Sequence, residues 1–218
     1  MVEAVIFDMD GLMFDTESVW TSLWEPVLAS FNIPLPEGLA EATRGTAGAQ
    51  LESIVSHYCG KTVPARVILE EMWRQGDAIF AKGVAKKPGL DELLVWLRAH
   101  GIPMAVASSS LPHYIRQNLK TGGIEQYFSA IVSGDMIEYS KPAPDIFLKA
   151  AELLHSDRHH TLVLEDSFNG VRAGRAGDFI TVMVPDLLQP DGEMAHLYDA
   201  CCKELFEVRE LLQKGRLE

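Results

Sequence analysis

The sequence lacks the features that are typical of membrane, secreted and nucleic-acid-binding proteins. No apolar run approaches the roughly 20 residues that a membrane-spanning helix needs, and the start of the chain lacks the basic residues of a signal peptide. The 19 lysines and arginines are outnumbered by 31 aspartates and glutamates, and a net charge of −12 does not favour contact with nucleic acid or an anionic membrane. We therefore expect a cytoplasmic protein that binds neither nucleic acid nor membrane.

Cysteine is scarce as well. The three cysteines are Cys59, Cys201 and Cys202, and because the last two are adjacent they do not bridge easily, so no disulfide framework is expected. The seven histidines show no spacing that suggests a transition-metal site. At 218 residues, of which 47% are apolar, the chain is long enough for one globular domain of ordinary size and a small second one.

The stretch at residues 5–12, Val-Ile-Phe-Asp-Met-Asp-Gly-Leu, organises the predicted fold. A buried strand is predicted to end at two carboxylates, Asp8 and Asp10, with Gly11 directly behind them. In open α/β sheets ligands bind at the carboxyl ends of the strands, so both acids are expected at the mouth of a site. The alternative is that these acids only begin a loop or cap the next helix.

Two carboxylates in this position suit phosphoryl transfer. A carboxylate such as Asp8 can attack phosphorus and carry the phosphoryl group as an aspartyl-phosphate. Asp10 could then donate a proton to the leaving oxygen and recover one from the attacking water. Mg²⁺, bound by carboxylates and substrate oxygens, would offset the repulsion between the anionic nucleophile and the phosphate.

Residues 15–82 are predicted to be helical. Apolar residues recur there at helical spacing, and no strand is indicated. A block of helices directly behind the first strand predicts a separate helical cap domain at 15–82, inserted into a core domain that is formed by 1–14 and 83–218.

Beyond residue 88, predicted strands and helices alternate. The predicted strands are 102–107, 130–132, 161–164 and 180–184, and the predicted helices are 90–100, 114–119, 142–154 and 168–176. Strands that are separated by helices imply a parallel sheet covered on both faces. The prediction is therefore an α/β fold with a Rossmann-like parallel sheet and a small inserted helical cap.

Polar residues stand where two further segments reach the same edge of this sheet. Ser108 and Ser109 end the second strand, where a hydroxyl and backbone N–H groups could bind a phosphate oxygen, although a serine there is also a common helix N-cap. Lys141 lies in a proline-rich loop, where it could contact both the phosphate and Asp8. The alternative for Lys141 is a solvated surface lysine.

Glu165 and Asp166 close the fourth strand. Facing Asp8, they would complete a set of oxygen ligands for Mg²⁺, with Asp166 direct and Glu165 direct or through water. Ser167 and Asn169 could orient these ligands by hydrogen bonding. Acids at a helix start are also favoured by the helix dipole alone. Carboxylates that converge from two strands repel one another without a cation, and this favours the metal site.

Together these residues resemble the haloacid dehalogenase superfamily of aspartyl-phosphate phosphotransferases. The residues that match its motifs, in the family's order, are Asp8, Asp10, Gly11, Ser108, Lys141, Glu165 and Asp166. The sequences around them, with the predicted cap, are similar to the β-phosphoglucomutase and sugar-phosphatase branch. Dehalogenases lack the second acid of the first motif, so Asp10 favours phosphorus chemistry over carbon–halogen cleavage.

Two departures from the mutases favour simple hydrolysis. The mutases have a histidine in the first cap helix, where this sequence has Trp20. They also have a cap arginine shortly after a glycine, whereas the segment 44–49 of this sequence has no basic residue after Gly45. A mutase must retain and reorient a bisphosphate intermediate, which calls for cations in the cap.

The resemblance implies a Mg²⁺-dependent phosphatase of small phosphorylated metabolites, with sugar or polyol phosphates as the leading class. The implied catalytic residues are Asp8, Asp10, Ser108 and Lys141. The implied phosphate-binding residues are Gly11, Ser108, Ser109 and Lys141. The implied metal ligands are Asp8, Asp10, Glu165 and Asp166. The alternatives are a phosphosugar mutase of the same fold and, in another class, an inactive phospho-ligand-binding or signalling domain. A monomer is expected, with a dimer as the alternative.

Substrate specificity is expected to come from the cap, whose closure would exclude bulk water. Trp20, Trp24 and Trp73 are candidates to line its pocket, although aromatic residues at helical spacing more often pack a domain's own core. Arg44 and Arg74 are candidate cap contacts to the substrate.

Overall fold

The structure is a computed structural model that describes residues 2–43, 46, 48–60 and 62–217. The chain divides into two compact units: the sheet unit, Met1–Asp15 with Ala85–Glu218, and the helical unit, Thr16–Val84. The sequence-based prediction placed the divisions after residues 14 and 82, whereas the two units divide after residues 15 and 84.

A parallel sheet forms the centre of the sheet unit. Its strands are β1 (Ala4–Phe7), β2 (Met104–Ser108), β3 (Ala130–Ser133), β4 (Thr161–Glu165), β5 (Ile180–Met183) and β6 (Ala200–Cys201). The order across the sheet is β3-β2-β1-β4-β5-β6, and every adjacent pair is parallel. β1 therefore lies between β2 and β4, with Ile6 opposite Ala105 on one side and Val163 on the other. The predicted fold class is confirmed.

The helical unit consists of α1 (Thr16–Ser30), α2 (Leu39–Thr43), α3 (Gly48–Cys59) and α4 (Ala65–Phe80). α1 packs against α4, and α3 packs against both α2 and α4. The apolar faces of these helices form one core cluster, which includes Leu23, Leu28 and Ile68. The described residues of this unit contain no strand, in agreement with the helical pattern of the sequence.

The three tryptophans of the helical unit have different surroundings. Trp24 is buried in the core cluster. Trp20 packs against Phe80 with a distance of 4.9 Å between ring centroids, and its ring also covers Gly76, where a Cβ would come within 2.6 Å of it. Trp73 is 43% exposed. Core packing therefore accounts for Trp24 and Trp20, and it does not account for Trp73.

The helices of the sheet unit are α5 (Leu90–Ala99), α6 (Pro112–Thr121), α7 (Asp145–Leu154), α8 (Phe168–Ala176) and α9 (Leu205–Gln213). The strands β1, β2, β4 and β5 are buried along their whole length, and α7 packs against β1, β2 and β3. Ile6 shares a core cluster with Phe147 and Val163. None of the helices in the described part of the chain is both long and apolar enough to cross a membrane.

Two details of the fold differ from the sequence-based prediction. The predicted helix at 142–154 begins only at Asp145, because Pro142 and Pro144 disfavour helical conformation in the residue before each of them. The two-residue strand β6 and the helix α9 that follows it were not predicted.

Candidate active site

The first strand places Asp8 at the carboxyl edge of the sheet. β1 is buried along its whole length, and the backbone N–H of Asp8 still donates to the Leu164 carbonyl of β4 at 3.0 Å. The Asp8 side chain is only 9% exposed. A buried carboxylate at a strand end is costly unless charged or hydrogen-bonding partners stabilise it, so the partners of Asp8 define the site.

A sharp turn follows Asp8, and Gly11 is essential to its geometry. Gly11 has φ of +80°, a conformation that glycine adopts without steric strain. A Cβ at Gly11 would also lie 2.3 Å from Asp166 Oδ2. Gly11 therefore allows Asp166 to approach the turn, whereas its predicted contact with phosphate stays a prediction.

Lys141 is the cationic partner of Asp8. Its Nζ atom lies 2.5 Å from Asp8 Oδ1 and 2.6 Å from Glu165 Oε1, and the lysine side chain is 8% exposed. The ammonium group also lies 4.8 Å from the centre of the Phe147 ring. The alternative of a solvated surface lysine is therefore wrong, because Lys141 is buried between two carboxylates.

Glu165 ends β4 and is completely buried. Its Oε2 atom accepts hydrogen bonds from the backbone N–H and the hydroxyl of Ser167, both at 2.9 Å. The Ser167 hydroxyl in turn accepts the N–H of Gly170 and so caps α8. A Cβ at Gly170 would lie 1.8 Å from the Glu165 carboxyl group. Only glycine at the start of α8 leaves room for this carboxylate.

Asp8, Glu165 and Asp166 form a group that could hold a metal ion. One oxygen atom from each carboxyl group lies within 4.8 Å of the other two. Carboxylate oxygens are the hard ligands that Mg²⁺ prefers. Lys141 alone does not neutralise three carboxylates, so the donor atoms and the charge both fit a divalent cation. Asp10, the fourth predicted ligand, lies outside this group.

The electrostatic environment of Asp8 also favours a cation. Burial raises the pKa of the Asp8 carboxyl group to about 8, while the Lys141 ammonium group acts to lower that pKa and the Glu165 and Asp10 carboxylates act to raise it. For Lys141, burial acts to lower the pKa, but the charges of Asp8 and Glu165 outweigh it and raise the pKa. A divalent cation beside Asp8 would favour its ionised form, which is the form that acts as a nucleophile.

Asp10 accepts hydrogen bonds from residues at the end of β2. Its Oδ2 atom accepts a hydrogen bond from the Ser108 hydroxyl at 3.0 Å and another from the Ser110 hydroxyl at 2.8 Å. Ser108 is completely buried, and Ser109 between the two is exposed. The structure therefore brings Ser108 to Asp10, whereas phosphate contacts of Ser108 and Ser109 stay predictions.

The remaining predicted residues have local partners or lie outside the described residues. Asn169 accepts a hydrogen bond from Arg172 Nη1 at 3.1 Å through its side-chain oxygen. Arg74 forms an exposed ion pair with Glu71 on α4. Arg44, the other candidate cap contact, lies outside the described residues.

Sequence reasoning missed the contributions of Ser110 and Gly170. Ser110 stands two residues after Ser108, just as Asp10 stands two residues after Asp8, and this matched spacing on neighbouring strands is a signal that could have been used. Gly170 follows the acid pair of β4 at a helix start, but its contact with Glu165 could not be predicted without the backbone.

The fold and the site together define a class of α/β protein in which carboxylates and a buried lysine meet at the carboxyl edge of a parallel sheet. The family model described as haloacid dehalogenase-like hydrolase matches residues 5–184. The chain belongs to this family, and the resemblance that the sequence motifs indicated is confirmed.

Several relatives are phosphatases. The phosphorylated carbohydrates phosphatase of Thermotoga maritima is 28% identical over 175 residues, which cover 80% of this chain and 81% of that protein. The (DL)-glycerol-3-phosphatase 2 of Arabidopsis thaliana is 33% identical over 192 residues, which cover 84% of this chain and 79% of that protein. The family and these relatives confirm the predicted enzyme class, a phosphoric monoester hydrolase.

A solved structure of a mutase-like protein has the same fold. A Thermotoga maritima protein assigned as a β-phosphoglucomutase has a TM-score of 0.82 and 25% sequence identity, and the match covers 98% of this chain and 99% of that one. The predicted similarity to the β-phosphoglucomutase branch is confirmed.

Proposed function

We propose that this chain is a Mg²⁺-dependent phosphatase of small phosphorylated metabolites, with sugar or polyol phosphates as the leading substrates. The observation that carries the proposal is the buried contact of Asp8 with Lys141, beside carboxylates of Glu165 and Asp166 that lie within 4.8 Å of Asp8. Such a site combines a nucleophile, a fixed cation and oxygen ligands. The phosphorylated carbohydrates phosphatase and the glycerol-3-phosphatase among the relatives support the substrate class.

The first step would transfer the phosphoryl group to the protein. A carboxylate oxygen of Asp8 attacks phosphorus, the bond from phosphorus to the substrate alcohol breaks, and Asp10 gives its proton to the departing oxygen. Lys141, held next to Asp8, stabilises negative charge that builds up around the phosphoryl group.

The second step would release phosphate. Asp10, now ionised, accepts a proton from a water molecule that attacks phosphorus, and the bond between phosphorus and the Asp8 oxygen breaks. Asp8 is thereby restored as a carboxylate and Asp10 as an acid, so both residues are ready for another cycle.

Asp8 and Asp166 are the residues that would hold Mg²⁺ most directly. Glu165 also lies within the carboxylate group, but both of its oxygens already accept hydrogen bonds from Lys141 and Ser167. We therefore expect Glu165 to contribute mainly through water or through charge. When bound, the cation would neutralise negative charge on the phosphate and on the carboxylates.

Phosphate release across a panel of phosphorylated sugars, polyols, nucleotides and small acids tests the proposal. Each compound is assayed with Mg²⁺ and, as the control, with EDTA. We expect release that depends on Mg²⁺ and is fastest with sugar or polyol phosphates. Release that EDTA leaves unchanged would contradict the metal assignment, and a preference for nucleotides would contradict the substrate class.

A phosphosugar mutase is the second candidate, because the mutase-like structure from Thermotoga maritima shares the whole fold. A mutase interconverts hexose phosphate isomers without net release of phosphate. Product analysis by NMR in the same assay separates the two reactions. We expect net hydrolysis, and isomer formation without phosphate release would favour the mutase. The cytoplasmic location and the monomeric state stay predictions.

A further inference from the structure

Two serine hydroxyls converge on one oxygen atom of Asp10. The Ser110 hydroxyl donates to Asp10 Oδ2 at 2.8 Å, and the Ser108 hydroxyl donates to the same oxygen at 3.0 Å. A carboxylate oxygen offers two lone pairs, so both lone pairs of Oδ2 accept these hydrogen bonds. A proton that this carboxyl group carries therefore belongs on Oδ1.

The two serines are held by backbone contacts as well as by Asp10. The backbone N–H of Ser110 donates to the Ser108 hydroxyl oxygen at 3.0 Å, so the hydroxyl proton of Ser108 is directed to Asp10. Ser108 is the last residue of β2 and is paired with Ser133 of β3. The position of the Ser110 hydroxyl is thus set by the sheet through the turn between β2 and α6.

The contact joins two turns that belong to neighbouring strands. Asp10 lies in the turn after β1, and Ser110 lies in the turn after β2, which is adjacent to β1 in the sheet. The terminal torsion of an aspartate side chain has a broad, roughly two-fold energy profile, so the side chain alone does not fix the orientation of its carboxyl plane. Hydroxyl donors on one oxygen select one orientation of that plane.

We propose that Ser110 is a positioning residue, which holds the Asp10 carboxyl group so that Oδ1 is available to the leaving oxygen of the substrate. This inference rests on the proposed function, because Asp10 has a role as general acid only in phosphoryl transfer. Sequence motifs assign no role to Ser110, and the predicted phosphate contacts of Ser108 and Ser109 do not include it.

The role of Ser110 depends on how much the leaving group needs a proton. As the bond from phosphorus to the leaving oxygen breaks and the bond to Asp8 forms, a proton moves from Asp10 to that oxygen. An alkoxide is a strong base and requires the proton, whereas 4-nitrophenolate is a stable anion that departs without it. If Asp10 loses its correct orientation, hydrolysis of alkyl phosphates should therefore slow more than hydrolysis of 4-nitrophenyl phosphate.

The test compares kcat/KM for a simple alkyl phosphate and for 4-nitrophenyl phosphate, because kcat/KM reports the steps up to departure of the alcohol or phenol. General acid catalysis contributes about 10²–10⁴-fold. In Ser110→Ala, where Ser108 still donates to Asp10, we expect roughly a tenfold loss with the alkyl phosphate and less than about a threefold loss with the aryl phosphate. Ser110→Thr keeps the hydroxyl group, so its kcat/KM for the alkyl phosphate should be close to that of the wild-type protein.

Ser133→Ala is the matched control. Ser133 ends the neighbouring strand β3 and donates to Asp135 Oδ1, so its substitution also removes a serine–aspartate hydrogen bond at this edge of the sheet. We expect this variant to keep the wild-type ratio of kcat/KM for the alkyl phosphate to kcat/KM for 4-nitrophenyl phosphate. An equal loss with both substrates in Ser110→Ala, or no loss, would overturn the inference, because a phosphate contact or a structural role does not distinguish the leaving groups.

Crystal structures of the wild-type protein and of Ser110→Ala, both without metal, give a second test that does not depend on turnover. We expect Asp10 to rotate or to adopt two orientations in the variant, and an unchanged Asp10 would overturn the inference. Failure of the wild-type protein to release phosphate from any compound would count against the proposed function. Normal wild-type turnover with a uniform loss in Ser110→Ala would count against the role of Ser110 alone.

Discussion

The sheet unit and the helical unit bury very different side chains. Among the described residues, the buried polar residues of the sheet unit are Asp8, Ser108, Asn118, Ser133, Thr161, Glu165 and Thr181, whereas the helical unit has only Thr16. The core cluster of the helical unit is made of apolar residues. The sheet unit therefore carries the candidate chemistry in its interior, and the helical unit is stabilised by ordinary apolar packing.

Ion pairs show the same contrast. In the sheet unit, Lys141 pairs with Asp8 and Glu165, and all three side chains are less than one tenth exposed. In the helical unit, Arg66 pairs with Glu70 while the two side chains are 75% and 53% exposed. Buried charges depend strongly on their partners, and exposed pairs contribute little. Removing one partner of an ion pair should therefore cost much stability in the sheet unit and little in the helical unit.

Asp8→Asn should have the largest effect of any substitution on activity. Asparagine keeps the shape of the side chain but removes the proposed nucleophile, so we expect kcat to fall by about 10⁴-fold or more, as for loss of other catalytic nucleophiles. The fold should survive, because the change removes a buried negative charge. Phosphate release and far-UV circular dichroism measure the two properties. Substantial remaining turnover would contradict the assignment of Asp8.

Lys141→Met should destabilise the sheet unit itself. The substitution leaves Asp8 and Glu165 buried without their cation, and breaking a buried pair in this way costs about 3–5 kcal/mol. Urea unfolding in EDTA measures the free energy of unfolding. The matched control is Lys149→Met on α7, whose side chain and that of its partner Glu152 are 37% and 68% exposed. Equal effects of the two substitutions would show that burial does not separate these ion pairs.

Leu28→Ala tests whether the helical unit depends on apolar packing. Leu28 is fully buried in the core cluster of that unit, and removing such a side chain costs about 2–5 kcal/mol through lost burial and a cavity. We expect lower thermal stability. Binding of Mg²⁺, measured by calorimetry at a temperature where the variant is folded, should be unchanged. Weaker Mg²⁺ binding would mean that binding by the carboxylates depends on the apolar packing around Leu28.

Much of this contrast could be predicted from the sequence. Apolar runs that end in polar residues located Asp8, Ser108 and Glu165 at strand ends, and a parallel sheet brings successive strand ends to one edge. The helical spacing after Asp15 predicted a block of helices behind β1. These signals are strong because burial on both faces requires continuous apolar runs, and because strand direction follows from alternation with helices.

Other details depend on the backbone and could not be predicted. β6 is only two residues long, too short for a periodic signal. The matched spacing of Asp10 and Ser110 indicates that the two residues lie near each other, but the hydrogen bond between them also depends on how the turns after β1 and β2 face each other, and the sequence does not specify this. The contact of Gly170 with Glu165 likewise follows from the exact path of α8. Motifs therefore locate a site, whereas the orientation of its side chains follows from the packed strands.

Arg66→Ala should have the smallest effect. Arg66 Nε lies 2.9 Å from Glu70 Oε1 one helical turn away on α4, and most of the arginine side chain is in water. An exposed pair of this kind contributes about 0.3–0.5 kcal/mol, so the change in the free energy of unfolding should be close to the error of a urea titration. Because salt screens exposed charges, the small difference from wild type should shrink further in about 1 M NaCl. A loss as large as that expected for Lys141→Met would mean that exposure does not determine the strength of ion pairs in this protein, and the contrast between the two units would then fail.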